Sequence, residues 1–306
     1  MNTPANCTDP ARAAPLAVAA LLCLTTLPAL AAPRPFSDHK AADPRGTVEI
    51  INVSGAVEVT AGDQAEVAVT GTIGERVERV DVTSAGTRVT VRVVLPSGNM
   101  SHHEGDANLK IQVPRHSALE VSLVSADLRV AGVDGDENLQ TVSGDINGEA
   151  GGSLQVSTVS GNVELDAHAA RSTRVKTISG DASLNGGAGE VSFESVSGDA
   201  NLKLGALKHS HFETVSGDLN IAGALEAGGQ IDASSVSGDV HLMFAALPEA
   251  DVDLQTLSGA IDSCFGPKPV EQQYGPGSRL SFRSGQGGGR IHVDTKSGDI
   301  GLCTVK

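Results

Sequence analysis

A five-residue motif returns eight times along this chain of 306 residues, and it constrains the fold more than any other feature. Each copy has a hydroxyl residue, a spacer, Ser-Gly and, in most copies, Asp. The copies begin at Thr141, Thr158, Thr177, Ser195, Thr214, Ser235, Thr256 and Thr295. The first seven motif serines lie 17 to 21 residues apart. A fixed period of this length indicates one structural unit stacked on copies of itself.

Each motif predicts a corner between two short strands. The glycine tolerates a positive φ, and Asp or Asn can hydrogen-bond a turn. The predicted corner residues are Ser143, Gly144, Asp145, Ser160, Gly161, Asn162, Ser179, Gly180, Asp181, Ser197, Gly198, Asp199, Ser216, Gly217, Asp218, Ser237, Gly238, Asp239, Ser258, Gly259, Ser297, Gly298 and Asp299. We expect the hydroxyl columns to lie inside the coils or at their corners.

Apolar residues on both sides of the corner indicate half-buried strands. They recur at the third and fifth positions after the serine, as in Val163 and Leu165, and four positions before it, as in Phe193 and Phe212. The position directly before the serine is also Val, Ile or Leu in seven consecutive copies. It has the opposite parity from the upstream apolar position, so an ideal strand cannot turn both toward one core. We therefore predict a bulge or a corner between them.

A unit of this length accommodates two strands and their turns, which is one coil of a β-solenoid. We predict an all-β protein, a β-solenoid similar to a parallel β-helix, with stacked 17–21-residue coils and a less regular all-β N-terminal portion. Strands of neighbouring coils should be parallel, in register and about 4.8 Å apart. The alternative is an antiparallel sandwich whose hairpins resemble one another, but the near-constant spacing favours the solenoid.

The N-terminal segment has the pattern of an export signal. Arg12 supplies a positive charge, an apolar stretch follows, and Ala29-Leu30-Ala31 fits the rule for cleavage after Ala31. We predict a signal peptide at 1–31, a linker at 32–46 and one β-repeat domain at 47–306. Within the domain, 47–120 is the irregular portion and 121–306 is the repeat array.

Composition limits the possible partners. The chain has 22 Lys and Arg against 37 Asp and Glu, and removal of the signal keeps the formal net charge of −15 because Asp9 and Arg12 cancel. Such a chain repels the phosphates of nucleic acid. With no Trp, one Tyr and six Phe, it lacks the aromatic platforms that bind bases and sugars. No segment after the signal is long and apolar enough to cross a membrane.

The Asp column after Ser-Gly has two interpretations. One is a calcium ladder, but calcium takes six to eight oxygen ligands, more than one carboxylate per coil supplies. The other is turn chemistry, which the presence of Asn162 and Ala260 in the same column favours. We therefore predict a structural role for the column.

Histidines offer the other candidates for metal binding. His102, His103, Glu104 and Asp106 lie together in a polar loop, and His209 alternates with His211 on a predicted strand edge. We favour a solvated surface for both groups, because nothing in the sequence fixes the spacing of ligands. The chain shows none of the common nucleophile, zinc-protease or phosphate-loop motifs, so no catalytic residue and no cofactor are predicted.

Two cysteines are predicted to form a disulfide. Cys7 and Cys23 leave with the signal, and both Cys264 and Cys303 lie six residues after a motif serine. Equivalent positions on stacked coils are about 5 Å apart, which suits a disulfide. In an exported protein we expect the Cys264–Cys303 bond, which would hold the last coil; two unpaired thiols are the alternative.

Several segments resemble a bacterial group, the putative-adhesin family of β-strand-repeat proteins, a domain of unknown function in exported or envelope-associated proteins. The similar segments are Val53-Ser-Gly-Ala-Val-Glu-Val, Leu109-Lys-Ile-Gln-Val-Pro, and Leu128-Arg-Val-Ala-Gly-Val-Asp-Gly before the repeats. The resemblance implies a β-solenoid-like fold and an adhesin label, and it transfers no catalytic residues.

We therefore expect a non-enzymatic exported scaffold, an adhesin or an envelope-binding structural protein, in the periplasm, in the cell envelope or outside the cell. Its partner would be an unidentified envelope or extracellular component, contacted by the side faces or by the loop at 266–277. The alternatives are a polysaccharide-active β-helix enzyme and a calcium-stabilised module similar to a β-roll.

Overall fold

The computed structural model describes residues 34–96, 105–271 and 277–304, and strands are the only regular elements in these ranges. All of them belong to one compact unit, Ala32–Lys306. In the described ranges, no helix is long and apolar enough to span a membrane. The predicted signal peptide lies outside the described residues, and cleavage after Ala31 stays a prediction.

The strands form a solenoid with two faces that meet at the Ser-Gly corner. Face A is the sheet formed by the strands that lead to the motif serine, and face B is the sheet formed by the strands that follow it. Each face also includes the strands that pair with these at its edges. The strands of face A are β4 (Arg79–Ala85), β5 (Arg88–Val94), β8 (Glu137–Ser143), β10 (Ser153–Ser160), β12 (Ser172–Ser179), β14 (Gly189–Ser197), β18 (Ala250–Ser258), β20 (Val270–Glu271), β21 (Ser278–Arg283) and β22 (Gly289–Ser297).

Face B is built in the same way, and four long strands belong to both faces. The strands of face B are β1 (Arg34–Ala41), β3 (Glu66–Ile73), β6 (Ala107–Pro114), β9 (Ile146–Ala150), β11 (Val163–Ala167), β13 (Ala182–Gly186), β17 (Val240–Phe244), β19 (Ile261–Ser263) and β23 (Ile300–Thr304). The strands shared by both faces are β2 (Thr47–Gly62), β7 (Ala118–Val133), β15 (Ala200–Ser216) and β16 (Leu219–Ser237).

Neighbouring coils are parallel and in register, which confirms the predicted fold class. Phe193 pairs with Phe212 on face A, and Leu184 pairs with Leu202 on face B. These residues are at most 3% exposed, so the apolar positions before and after the corner form one continuous core. Identical residue types stack because a strand of period two returns to the same orientation in every coil.

The regular coils begin earlier than residue 121. Strand β2 pairs with β7 in parallel from Thr47 to Thr60, and Ser54 lies opposite Ser125 in the serine column. The segment 47–120 is therefore only partly irregular. This coil is difficult to recognise in the sequence, because Ala56 occupies the Asp position and the next motif lies far along the chain.

The predicted linker at 32–46 contains strand β1, which contradicts that part of the domain prediction. β1 pairs antiparallel with β3, and half-buried Phe36 packs against the core. The free edge of β3 offers backbone hydrogen bonds, and a strand that buries one apolar side chain occupies it. Antiparallel strands also extend face A at its two ends, where β4 pairs with β5 and β21 pairs with β18.

The two C-terminal coils are stacked in the reverse of their sequence order. β22 lies between β16 and β18, and β23 lies between β17 and β19. The coil of Ser258 is therefore outermost, and the expectation that the last coil in sequence forms the edge is wrong. The connection between β19 and β22 carries β20 and β21, which pass outside β18 before the chain returns to its inner side.

A disulfide joins Cys264 and Cys303, with their Cα atoms 4.9 Å apart. The two coils are adjacent, as the common register of the cysteines predicts, because Ser263 pairs with Leu302. The bond thus ties the outermost coil to the inserted C-terminal coil.

Candidate functional site

The motif glycine allows neighbouring coils to approach closely. Gly198 has a φ of 121°, and a Cβ atom there would lie 2.2 Å from the carbonyl oxygen of Gly180 in the adjacent coil. The same 2.2 Å approach recurs at Gly161, Gly180, Gly217, Gly238 and Gly298. Only glycine combines this backbone conformation with this contact. The glycine column is therefore required by the stacking itself.

The Asp column hydrogen-bonds the next coil rather than its own turn. Asp199 Oδ1 accepts the backbone N–H of Asp218 at 2.9 Å, and Asp218 Oδ1 accepts that of Asp239 at 2.9 Å. Such bonds run without interruption from Asp127 to Ala260. Asn162 fits because its amide oxygen accepts equally well, at 3.1 Å. Ala260 has no side-chain acceptor. It needs none, because its coil is outermost and no further coil in the described structure presents an N–H to this position.

The hydroxyl residue that begins each motif points into the core. Thr177, Thr214 and Ser235 are at most 5% exposed, and their hydroxyls have no hydrogen-bond partner among the described residues. The last inward position before the corner is thus occupied by Thr or Ser. The residue between the hydroxyl residue and the motif serine must then face outward.

That outward residue is apolar, and its column forms the most unusual surface of the described structure. We call this column the apolar ladder; it consists of Val124, Val142, Val159, Ile178, Val196, Val215, Val236 and Leu257. These side chains are 43–55% exposed, and they are eight of the nine exposed large hydrophobic residues in the described part of the chain. Exposed apolar patches often coincide with interaction sites in other proteins. The predicted bulge or corner between the upstream apolar position and this residue is wrong, because inward and outward positions alternate up to it, as in Phe193, Ser195 and Val196.

Strict application of the period-two rule would have found the ladder. Leu139 and Thr141 face inward, so Val142 between Thr141 and the corner must face solvent. Sequence reasoning assumed that a recurrent apolar residue belongs to the core. In space the ladder runs from Val124 to Val236 on seven consecutive coils, and then Lys296 of the inserted coil separates Val236 from Leu257.

Acidic groups flank the apolar ladder on the face B side of the corner. The carboxylate column consists of Asp127, Asp145, Asp181, Asp199, Asp218, Asp239 and Asp299. Each uses Oδ1 for the next coil, and the column is exposed or half-buried. On the other side, face A presents Lys176 paired with Glu194 at 2.7 Å and, one coil further, Glu213. The ladder is thus an apolar stripe with a row of carboxylates along its face B side.

A groove of about 630 Å³ follows the starts of the face A strands across the coils. Glu137 lies at its wall, is 3% exposed, and has no partner for Oε1 among the described residues. Its neighbours in the stack are Leu119 and Leu154. Burial among them raises the pKa of the Glu137 carboxyl to about 8.

The predicted metal candidates are only partly within the described structure. His102, His103 and Glu104 lie outside the described residues, and Asp106 accepts a hydrogen bond from the Ser54 hydroxyl. His209 and His211 line the groove, far along the chain from that loop. Among the described residues, no group of three or more His, Cys, Asp or Glu side chains is arranged to hold a metal.

The described residues define a class, a two-faced β-solenoid whose coils are joined by glycine contacts and Asx hydrogen bonds. A family model described as Toastrack DUF4097 matches residues 47–303, and the chain belongs to this family. None of the curated proteins compared with the chain matches it.

The chain is similar to several solved structures. One is a protein of Parabacteroides distasonis described as a "putative lipid binding protein", with 14% identity, coverage of 89% of this chain and 97% of that chain, and a TM-score of 0.50. Another is a "putative adhesin" of Bacteroides fragilis, with 13% identity, the same coverage and a TM-score of 0.46. Neither description names an enzyme. At these identities the likeness concerns the fold alone.

Proposed function

We propose that this chain is an exported, non-enzymatic β-repeat scaffold that binds a component of the cell envelope or of the extracellular space. The apolar ladder carries the proposal. Seven of its side chains lie on consecutive coils and leave on the order of 500 Å² of apolar surface in contact with water, and a contiguous patch of that size is often a binding site.

Other features support the scaffold role. The Asp column, the most conspicuous chemical feature of the sequence, is occupied with hydrogen bonds between coils. The solved structure from Parabacteroides distasonis with a TM-score of 0.50 is described as a "putative lipid binding protein", which fits a binding role.

Export is supported by the N-terminal pattern and by the disulfide. The segment 1–31 has the charge, apolar stretch and small residues of a signal peptide. The Cys264–Cys303 bond suits an oxidising compartment such as the periplasm or the outside of the cell. We propose cleavage after Ala31, which N-terminal sequencing of the secreted or periplasmic protein tests.

A binding assay on isolated envelopes tests the function. We expect saturable binding of the fluorescently labelled chain from Ala32 to envelope preparations of the producing cells. The variant V159T/I178T/V196T/V215T, called the ladder variant, should bind at least about tenfold more weakly, because threonine keeps the shape and β-propensity of valine but removes the apolar contact. Val94→Thr is the matched control, because Val94 is a half-buried outward valine of β5 that lies outside both the ladder and the loop at 266–277.

Two results would count against the proposal. One is an absence of saturable binding by the folded chain, and the other is equal binding by the native chain and the ladder variant. A variant that lacks residues 272–276 tests the loop, the other predicted contact, in the same assay. Circular dichroism and thermal melting establish that each variant is folded.

A further inference from the structure

The apolar ladder and the carboxylate column run side by side along the same coils. On each coil the Asp position follows the ladder position by three residues, across the Ser-Gly corner, as in Val196 and Asp199. Seven coils from Val124 to Val236 carry the ladder without interruption, and Lys296 ends this run. A partner that covers the run must therefore offer an apolar stripe with positive charge along one side.

The charges disfavour two other occupants. A second copy would bring another chain with a formal net charge of −15 against the same acidic surface. An anionic membrane surface would meet the same repulsion. Six of the seven carboxylates of the column instead lie beside this uninterrupted run and match a row of Lys or Arg side chains, since oppositely charged surfaces attract and orient each other.

The spacing of the ladder selects the shape of the partner. Successive ladder side chains are one coil apart, about 4.8 Å. An α-helix that lies along the solenoid presents one apolar side chain per turn of about 5.4 Å, close to this spacing. A strand in the same direction presents side chains on one face every 6.6 Å or so, which falls out of step after a few coils.

From these observations we infer that the apolar ladder binds a cationic amphipathic α-helix laid along the solenoid axis. The inference rests on the proposed function and specifies the partner. The uninterrupted run covers six spacings, about 29 Å, which a helix of about 19 residues spans. Apolar residues at positions i, i+3, i+4 and i+7 face the ladder, and Lys or Arg side chains on one flank face the carboxylate column.

A designed peptide pair tests the inference. The first peptide has 20 residues, with leucines along one stripe and lysines along one flank, and the second has glutamates in place of the lysines. Isothermal titration calorimetry with the chain from Ala32 should show binding of the lysine peptide, weakened by salt, and no binding of the glutamate peptide. Circular dichroism should show that the lysine peptide gains helix on binding.

Two protein variants separate the apolar and the ionic parts. The ladder variant keeps every charge and should bind the lysine peptide at least about tenfold more weakly. The variant D199N/D218N keeps the hydrogen bonds between coils, as Asn162 does natively, but removes two charges. It should weaken binding several-fold at low salt and hardly at all at high salt. Val94→Thr should leave binding unchanged.

The outcomes distinguish this inference from the proposed function. Equal binding of the lysine peptide by the native chain and the ladder variant overturns the inference, because attraction to an acidic protein alone would explain it. If the lysine peptide does not bind but the chain still binds envelopes through the ladder, the inference of a helical partner is wrong and the proposed function stands. Ladder-dependent dimerisation in light scattering also overturns it, in favour of a second copy.

Discussion

The central coils and the C-terminal coils use the same motif but are assembled differently. From Ser143 to Ser237 each coil lies on the coil that precedes it in sequence, so every contact between coils joins residues about one repeat apart. At the C-terminal end the coil of Ser297 enters between those of Ser237 and Ser258. A disulfide and an antiparallel strand accompany this exchange.

The difference separates what a repeat specifies from what it leaves open. Every copy fits every other copy, because glycine contacts and Asx hydrogen bonds depend only on register. The motif therefore defines how coils stack but not in which order. The order at the C-terminal end depends on the long connection through β20 and β21. Here β22 must pair with β16, so this region forms contacts between residues that are far apart in sequence.

The comparison predicts opposite results for two deletions of similar size. Deletion of residues 181–198 removes one central coil and rejoins Gly180 to Asp199 in the same register. Removal of residues 289–306 instead takes away the coil that joins β16 to β18. We expect the first variant to melt cooperatively within several degrees of the native chain, since repeat stability is roughly additive. The truncated chain should lose cooperative melting of its C-terminal end or fail to fold.

Differential scanning calorimetry of both variants checks this prediction. If the central deletion unfolds the protein while the truncation leaves one intact transition, the contrast between the two regions is incorrect.

Glycine substitutions sharpen the comparison at a single position. Gly198→Ala places a Cβ 2.2 Å from the Gly180 carbonyl oxygen in an array fixed on both sides, and should lower the free energy of unfolding by about 3 kcal/mol or more. Gly259→Ala meets the same 2.2 Å approach, to Gly298, but in the outermost coil. We expect a smaller loss there, because that coil can shift outward. Gly205→Ala, with contacts no shorter than 3.4 Å, is the control in urea unfolding.

Much of this fold can be predicted from the sequence, since a period of 17–21 residues with alternating apolar positions fixes coils, corners and inward columns. The cysteine register also indicates which coils are neighbours. The exchange of coil order could not be predicted, because the Ser258 and Ser297 copies have equivalent registers. The strand β1 was missed because Pro33 and Pro35 suggest a linker, whereas the free edge of β3 supplies the partner that orders it.

The apolar ladder was within reach of the sequence but was assigned to the interior. Its recurrence suggests a core column. The burial of Thr141 and its equivalents shows that these residues occupy the last inward-facing position before the corner. Hydrophobicity alone does not distinguish an inner column from an outer one. Parity does, provided the strand is regular up to the corner.

A pH-dependent effect is expected from the buried carboxyl of Glu137, in a coil of the regular array where changes should act locally. Its pKa rises from 4.5 in a solvated chain to about 8 when folded, so the folded state holds a proton that the unfolded state has released. Stability is then greatest below pH 4.5, falls as the pH rises toward 8, and stays level above it. Glu137→Gln should remove this slope, which amounts to a loss on the order of 5 kcal/mol between pH 4.5 and pH 8.

Urea unfolding between pH 5 and pH 9 checks the slope. The pH values at which the slope begins and ends should lie within about one unit of the two pKa values. Glu164→Gln, at an exposed position on face B, should leave the pH dependence as in the native chain. An unchanged slope in Glu137→Gln would contradict the assignment. Glu137→Leu should stabilise the protein at alkaline pH, because Leu119 and Leu154 occupy the same column.

The central claim is that the structure of each coil is maintained by its inner and Asp columns, while the apolar ladder is left free for a partner. Hydroxyl-radical footprinting with mass spectrometry tests this most directly, on the chain from Ala32 with and without envelope preparations. The account predicts that Val159, Ile178, Val196 and Val215 become protected on binding, while Val94, outside both the ladder and the loop at 266–277, keeps its labelling rate. Protection elsewhere with unchanged labelling of the four ladder residues would contradict it.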